Sequence, residues 1–318
     1  MGARRAPASK LLWEAVCVNL QPYLSLSDEA SAALRAGRPV VALDSTSAAH
    51  DMPPGMGLGF ALAKERAVRE AGAVPATVAV LDGRLCIGLS PRQLERVCTA
   101  PALGKASRRE LPILLATGTS AAATASATML AAVLAGIPVF AAAGIGGVRE
   151  GLDISADLQE LSRSSLAVVC AGPKPGCDEA STVEYLETKG VPVLGLGGAV
   201  LPAFWCAGGA LSADAAVEDE HLAARIARTK WDLGLAGGVL LACGPAPGQA
   251  LDGALAARAL ADAREAARAQ NLRGRALTPF IMAHILAACP QAQTAYTALS
   301  CRCAAAASRL AAALRARR

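Results

Sequence analysis

Three short segments of the chain hold its candidate chemistry. Asp44-Ser45-Thr46 follows the apolar run Pro39-Val40-Val41-Ala42-Leu43, and Lys174 follows Leu166-Ala167-Val168-Val169-Cys170. Gly144-Ile145-Gly146-Gly147 follows Val139-Phe140-Ala141. A carboxylate can deliver or remove a proton, and a lysine amine can attack a carbonyl carbon. Only six of the 31 basic residues are lysines: Lys10, Lys64, Lys105, Lys174, Lys189 and Lys230. Where a plain cation suffices this chain carries arginine, so a lysine in a pocket is a candidate for more than its charge.

The stretch AGIGGVREGLDISADLQEL, residues 143–161, first reads as a dinucleotide loop. That fingerprint needs GxGxxG between a strand and a helix. Gly144 and Gly146 fit, but the third position is Arg149, and Gly151 and Asp153 separate the loop from any helix. The dinucleotide reading fails, and with it an oxidoreductase. The loop can still bring backbone N–H groups close to a phosphate or carboxylate. Asp153 and Asp157 have two readings. Either Asp153 or Ser155 caps a helix and the carboxylates decorate its first turn, or the two aspartates hold a ligand.

The elements that position these residues alternate along the chain. Helices are predicted over 57–71, 107–117, 120–135, 179–188, 218–233, 250–270 and 278–316, after a short one opened by Ser27-Asp28-Glu29. Strands are predicted over 39–43, 77–81, 139–141, 166–170, 191–194 and 239–241, with Asp82-Gly83 turning a hairpin into Leu85-Cys86-Ile87-Gly88. Continuous apolar strands between helices predict an α/β fold: a mostly parallel central sheet with helices on both faces. No linker or repeat interrupts it, so residues 23–318 read as a single domain behind an N-terminal extension, 1–22. Ligands of such sheets bind beyond the carboxyl ends of the strands, where Asp44, Gly144 and Lys174 all fall.

Composition narrows the function. Of 318 residues, 53% are hydrophobic but only 3% aromatic, so the core is built from Ala, Leu and Val, which suits close helix–sheet packing. The net charge of +5 comes with no basic stripe interleaved with aromatics, which argues against nucleic acid and for a small anionic substrate. Arg315, Arg317 and Arg318 read as a solvated tail. The ten cysteines include no CxxC pair, and Cys301-Arg302-Cys303 lacks nearby histidines, so free thiols in a reducing compartment are expected. No charge occurs from Leu111 to Val148, but Gly136-Ile137-Pro138 breaks that stretch; a buried helix and strand are expected there, not a membrane span. A cytoplasmic location is expected, with a mitochondrial one as the alternative because MGARRAPASKLLWEAV begins basic.

Longer segments carry a resemblance. GIGGV is followed by DISADL-x-EL, VVCAG-x-K and EYLET-x-GVPV. Around them lie VVAL-x-ST, REAGAVPAT-x-AV-x-DGR, SRR-x-LP, LAGI-x-VFA, PAF, KW-x-LGL-x-GGVL-x-A and TPF, in order over residues 23–285. The chain resembles the pseudouridine-5′-phosphate glycosidases, which reversibly cleave the C–C bond between ribose and uracil in pseudouridine 5′-phosphate. The resemblance implies an α/β/α sandwich, a homotrimer, and one Mn2+ per subunit. It implies Lys174 as a Schiff-base nucleophile, in an apolar setting that favours the free amine, and Asp44 as the acid/base. It further implies Asp153 as the metal ligand, and Lys105, Ala125, Ser155, Ala156 and Asp157 as substrate-binding residues. The partner it implies is a small phosphorylated nucleoside or sugar, with neither nucleic acid nor membrane.

The chain also departs from that pattern. Asp44 stands where the family has glutamate, and Arg149 where it usually has histidine, before a shortened loop to Asp153. Ser120 to Ala125, Pro54-Gly55-Met56-Gly57, Cys243-Gly244-Pro245 and Arg302-Cys303 lack polar residues the family carries. The alternative reading is a degenerate homologue that binds a phosphosugar with little or no turnover. His50, near Asp44, is a candidate pocket residue, while His221 and His284 lie on predicted helices as surface or packing residues.

Overall fold

The computed structural model describes residues 22–100, 103–151 and 153–316. Residues 1–21, and with them nearly all of the predicted extension and any targeting segment, lie outside the described residues, as do Arg317 and Arg318. In chain order the strands are β1 (Leu24–Leu26), β2 (Val40–Asp44), β3 (Val74–Leu81), β4 (Arg84–Ile87), β5 (Gly104–Ala106) and β6 (Ala121–Ala123). They continue with β7 (Val139–Ala141), β8 (Val148–Arg149), β9 (Asp153–Ile154), β10 (Ala167–Cys170), β11 (Val193–Leu196), β12 (Ala215–Val217) and β13 (Val239–Ala242).

The main sheet runs β1-β4-β3-β2-β7-β10-β13-β11-β12. It is parallel except where β3 meets β4 and β6. Alternation along the central strands divides the core into two. Val41, Leu43, Val139 and Ala141 face the layer that includes Tyr296, Leu299 and Leu310, while Val40, Ala42 and Phe140 face Ala127, Met129 and Ala131. Helices therefore cover both faces, as expected for strands that are apolar throughout. The long helix Pro290–Arg315 packs on Gly57–Glu70 and Glu220–Asp232. Phe60 and Tyr296 stack there with ring centroids 5.1 Å apart.

Three departures from the sequence reading have physical causes. Ala121–Ala123 form strand β6, not the start of a helix. β2 ends opposite Val78, and β6 takes the edge of β3 that β2 leaves, pairing Ala79 with Ala122 and Val80 with Ala121. Ser45 Oγ ties the junction, donating to the Val78 carbonyl at 2.6 Å and accepting from Ala123 N–H at 2.9 Å. The helix then starts at Ala125, with Thr124 as its cap. The predicted helix 107–117 is shorter, Leu111–Thr117, preceded by turns.

The third departure is a break in the predicted helix 278–316. It divides into Leu277–Ala288 and Pro290–Arg315 because Cys289 precedes a proline and adopts extended backbone, φ −131° and ψ 96°. Arg315 is half-buried at the end of that last helix, where a free tail was expected. The uncharged stretch 111–148 divides into helix, strand, helix and strand, and no described helix is long and apolar enough to cross a membrane.

Candidate active site

Asp44 ends β2, and the chain turns at once into a short π-helical segment, Ser47–Asp51. Such segments are often found where function needs a side chain re-aimed. Asp44 Oδ2 accepts the Ser47 N–H at 2.9 Å, and Oδ1 accepts from Lys64 Nζ at 2.9 Å. Lys64, only 2% exposed, also reaches the Asp44 carbonyl at 3.2 Å and Ser47 Oγ at 3.0 Å. Burial pushes the Asp44 carboxyl upward, but the charges of Lys64 and Lys174 outweigh it and hold it below the usual range. Asp44 therefore rests ionised, in the proton-accepting form.

The Asp51 at the end of the same segment meets the candidate nucleophile. Pro173 bridges Ile145, and Lys174 N–H donates to the Ile145 carbonyl at 2.8 Å, which aims the side chain across the sheet end. Lys174 Nζ lies 2.5 Å from Asp51 Oδ2, and Tyr296 donates its hydroxyl to the same oxygen at 2.8 Å. Burial alone would lower the Lys174 pKa. The carboxylates of Asp51 and Asp44 reverse that, so the net shift is upward. The expected apolar setting, which would supply free amine, is corrected by this buried carboxylate.

The glycine loop serves packing and backbone hydrogen bonding. Asp157 Oδ2 accepts the Gly146 N–H at 2.8 Å, and Oδ1 accepts the Ser126 N–H at 2.9 Å. A Cβ on Gly146 would stand 2.1 Å from Ser155 Oγ, so only glycine lets the loop close on this helix start. Ser155 is the N-cap, accepting from Asp157 N–H at 3.2 Å. Asp157 thus joins the loop to the first turn of the helix Ala125–Ala135 while facing the same cavity.

Arg149 and Asp153 face one another across the β8–β9 ribbon, with Nη1 2.9 Å from Oδ2. Arg149 Nη2 also donates to Thr278 Oγ1, and Nε is buried without a partner. A divalent ion on Asp153 would sit beside this guanidinium. No group of three His, Cys, Asp or Glu side chains placed to hold a metal occurs among the described residues. Small hard divalent ions are held by one or two carboxylates together with several waters; Asp153 would supply one such carboxylate, and its pairing with Arg149 would have to be given up first.

Lys105, on β5, turns its ammonium toward the Arg275 carbonyl at 3.5 Å. Its pKa is lowered, first by burial and then by the like charges of Lys174 and Arg149, although Asp51 opposes this. All eight residues singled out from the sequence, Asp44, Lys105, Ala125, Asp153, Ser155, Ala156, Asp157 and Lys174, line one cavity of about 380 Å³. Arg149, Arg275 and Thr278 are also part of that wall, with Arg109 and Glu110 at its charged edge. His50 is not among the lining residues; its Nε2 is buried without a partner. His221 and His284 lie on helices away from the cavity.

A family model for indigoidine synthase A like proteins matches residues 29–313. The chain belongs to the indigoidine synthase A like family. Within it, the pseudouridine-5′-phosphate glycosidase of Caldanaerobacter subterraneus subsp. tengcongensis is 49% identical over 268 residues, covering 83% of this chain and 87% of that protein. The protein of the same name from Cupriavidus pinatubonensis is 48% identical over 272 residues, covering 84% and 86%. The prealnumycin C-glycosynthase AlnA, solved with ribulose 5-phosphate, superposes with a TM-score of 0.83 at 36% identity, over 92% of this chain and 97% of that one. An indigoidine synthase A like protein of Thermotoga maritima gives a TM-score of 0.83 at 25% identity, with the same coverage. The family's α/β architecture is the one described above.

Proposed function

We propose that this chain is a pseudouridine-5′-phosphate glycosidase. It cleaves the C–C glycosidic bond of pseudouridine 5′-phosphate reversibly, giving ribose 5-phosphate and uracil, with Lys174 as the nucleophile. The observation that carries the reading is that Lys174, Asp44 and Lys105 face one cavity at the carboxyl end of a parallel sheet. Its volume of about 380 Å³ suits a small ligand. Relatives nearly half identical carry that glycosidase name, and a structural neighbour holds a pentose phosphate, which supports the same substrate class.

The chemistry explains the need for lysine. The leaving atom is a carbon of uracil, far harder to expel than a protonated nitrogen. An amine that adds to C1 of the opened sugar and loses water leaves an iminium, an electron sink that makes C–C cleavage accessible. Asp44, ionised at rest, is the candidate for removing the proton whose departure opens the ring and for returning one to uracil. Lys105 meets the phosphate as a point charge, and Asp157 holds the loop that floors the site. No step is assigned to a metal. Homotrimeric assembly is part of the same proposal, supported by family membership and read by light scattering.

The deciding experiment is uracil release from pseudouridine 5′-phosphate. Release abolished by Lys174→Ala is the expected result, and no release from folded protein would overturn the proposal.

A further inference from the structure

The carboxylate at the strand end and the carboxylate that touches the nucleophile are different residues. Asp44 has both oxygens engaged, Oδ1 by Lys64 and Oδ2 by the Ser47 N–H, and makes no hydrogen bond to Lys174. Asp51 sits 2.5 Å from Lys174 Nζ, is 1% exposed, and is held by the Tyr296 hydroxyl. We propose that Asp51, not Asp44, is the base that frees the Lys174 amine and the acid that completes Schiff-base formation. This rests on the Schiff-base reading above.

The step balances with one borrowed proton. An N–H bond of the Lys174 ammonium breaks and an O–H bond forms on Asp51, leaving the lone pair on nitrogen. That pair forms the C–N bond to C1 of the open-chain sugar, and the carbonyl π pair passes to oxygen, which takes a proton from the attacking nitrogen. Asp51 then returns its proton to the hydroxyl, which departs as water while the nitrogen lone pair forms the iminium. The proton that Asp51 borrows is thus given back, and the cycle closes on the side chain as it began. Tyr296, whose burial raises its own pKa well above the ordinary value, stays protonated throughout and fixes the carboxylate.

The test uses ribose 5-phosphate, trapped by borohydride and quantified on the Lys174 peptide across pH. Asp51→Asn is expected to lower the plateau rate of adduct formation by about a hundredfold and to move its rising limb to lower pH, because the ammonium loses its nearest counter-charge. Asp44→Asn is expected to shift the limb less. A wild-type plateau in Asp51→Asn, or the larger loss in Asp44→Asn, would overturn the assignment.

A second readout, acetylation of Lys174 by acetic anhydride without substrate, separates this assignment from the Schiff-base reading itself. An unchanged acetylation profile in Asp51→Asn overturns the role of Asp51 even where adducts form. Wild-type protein that forms no adduct overturns the Schiff base and, with it, this step. Tyr296→Phe keeps the ring against Phe60 and removes the hydroxyl bound to Asp51, leaving that carboxylate oxygen to Lys174 alone. The rising limb is expected to move to higher pH in that variant, opposite to Asp51→Asn, and no change would count against the proposal.

Discussion

Arg149 Nη1 lies 2.9 Å from Asp153 Oδ2, so the residue that the family resemblance offers as metal ligand is already paired with a cation. Purified protein is therefore expected to show no saturable Mn2+ binding by electron paramagnetic resonance. Arg149→His, which removes the guanidinium, is expected to gain measurable binding. Tight binding to the wild-type chain would contradict this reading of the pair.

Lys64 holds Asp44 in its ionised state. Lys64→Met removes the opposite charge while keeping the stem's volume, so the Asp44 carboxyl, then dominated by burial, should rise. The acid limb of the uracil-release profile is expected to move to higher pH. In the stability profile the sign follows from a depressed folded pKa: the contribution of wild-type Asp44 is present above the usual carboxylate range and lost as pH falls through the folded value. Denaturant melts of both proteins across the acid range check it, and parallel losses would show that Lys64 does not govern Asp44.

Asp44→Glu restores the residue the family pattern carries, yet it is expected to lower uracil release by about tenfold or more. Asp44 is 6% exposed and clasped by Lys64 and the Ser47 N–H, so a longer side chain must displace both. Turnover equal to or above wild type would show that the pocket adapts.

Lys105→Ala is expected to raise KM for pseudouridine 5′-phosphate while leaving kcat within a few fold, the signature of lost ground-state binding. A fall in kcat at constant KM would move Lys105 from phosphate contact to the chemistry.

Gly146→Ala is expected to destabilise the fold by about 1–3 kcal/mol and to loosen the loop that Asp157 holds. The added Cβ would meet Ser155 Oγ at 2.1 Å, where only a helix cap can move aside. Chemical denaturation measures it, and a neutral result would mean that Ser155 turns away at no cost.

The sequence made the sheet legible because its strands are apolar throughout, and strand ends are where parallel sheets bind ligands. Asp44, Lys174 and the glycine loop therefore came together as read. Lys64 stood out only through the scarcity of lysine, and nothing in its neighbourhood tied it to Asp44. Asp51 was overlooked beside His50, because a π-helical turn decides which of two adjacent side chains points inward, and no simple periodicity encodes that. Tyr296 gave no signal: it lies 245 residues from Asp51 in the chain, on a helix whose composition reads only as core. The strand Ala121–Ala123 was hidden because alanine favours helices, and only the vacant edge of β3 overrides that preference.

The break at Cys289–Pro290 sets an order of events in the making of the protein. Every strand of the sheet, and both Lys174 and Asp51, precede it, whereas Tyr296 follows it on the last helix. Until the last helix is made, the sheet face that carries Val41, Leu43, Val139 and Ala141 lacks the cover of Tyr296, Leu299 and Leu310. Docking of that helix therefore brings the Tyr296 hydroxyl onto Asp51 and closes one face of the core together, so the geometry of the site and the burial of that face are completed by the same element.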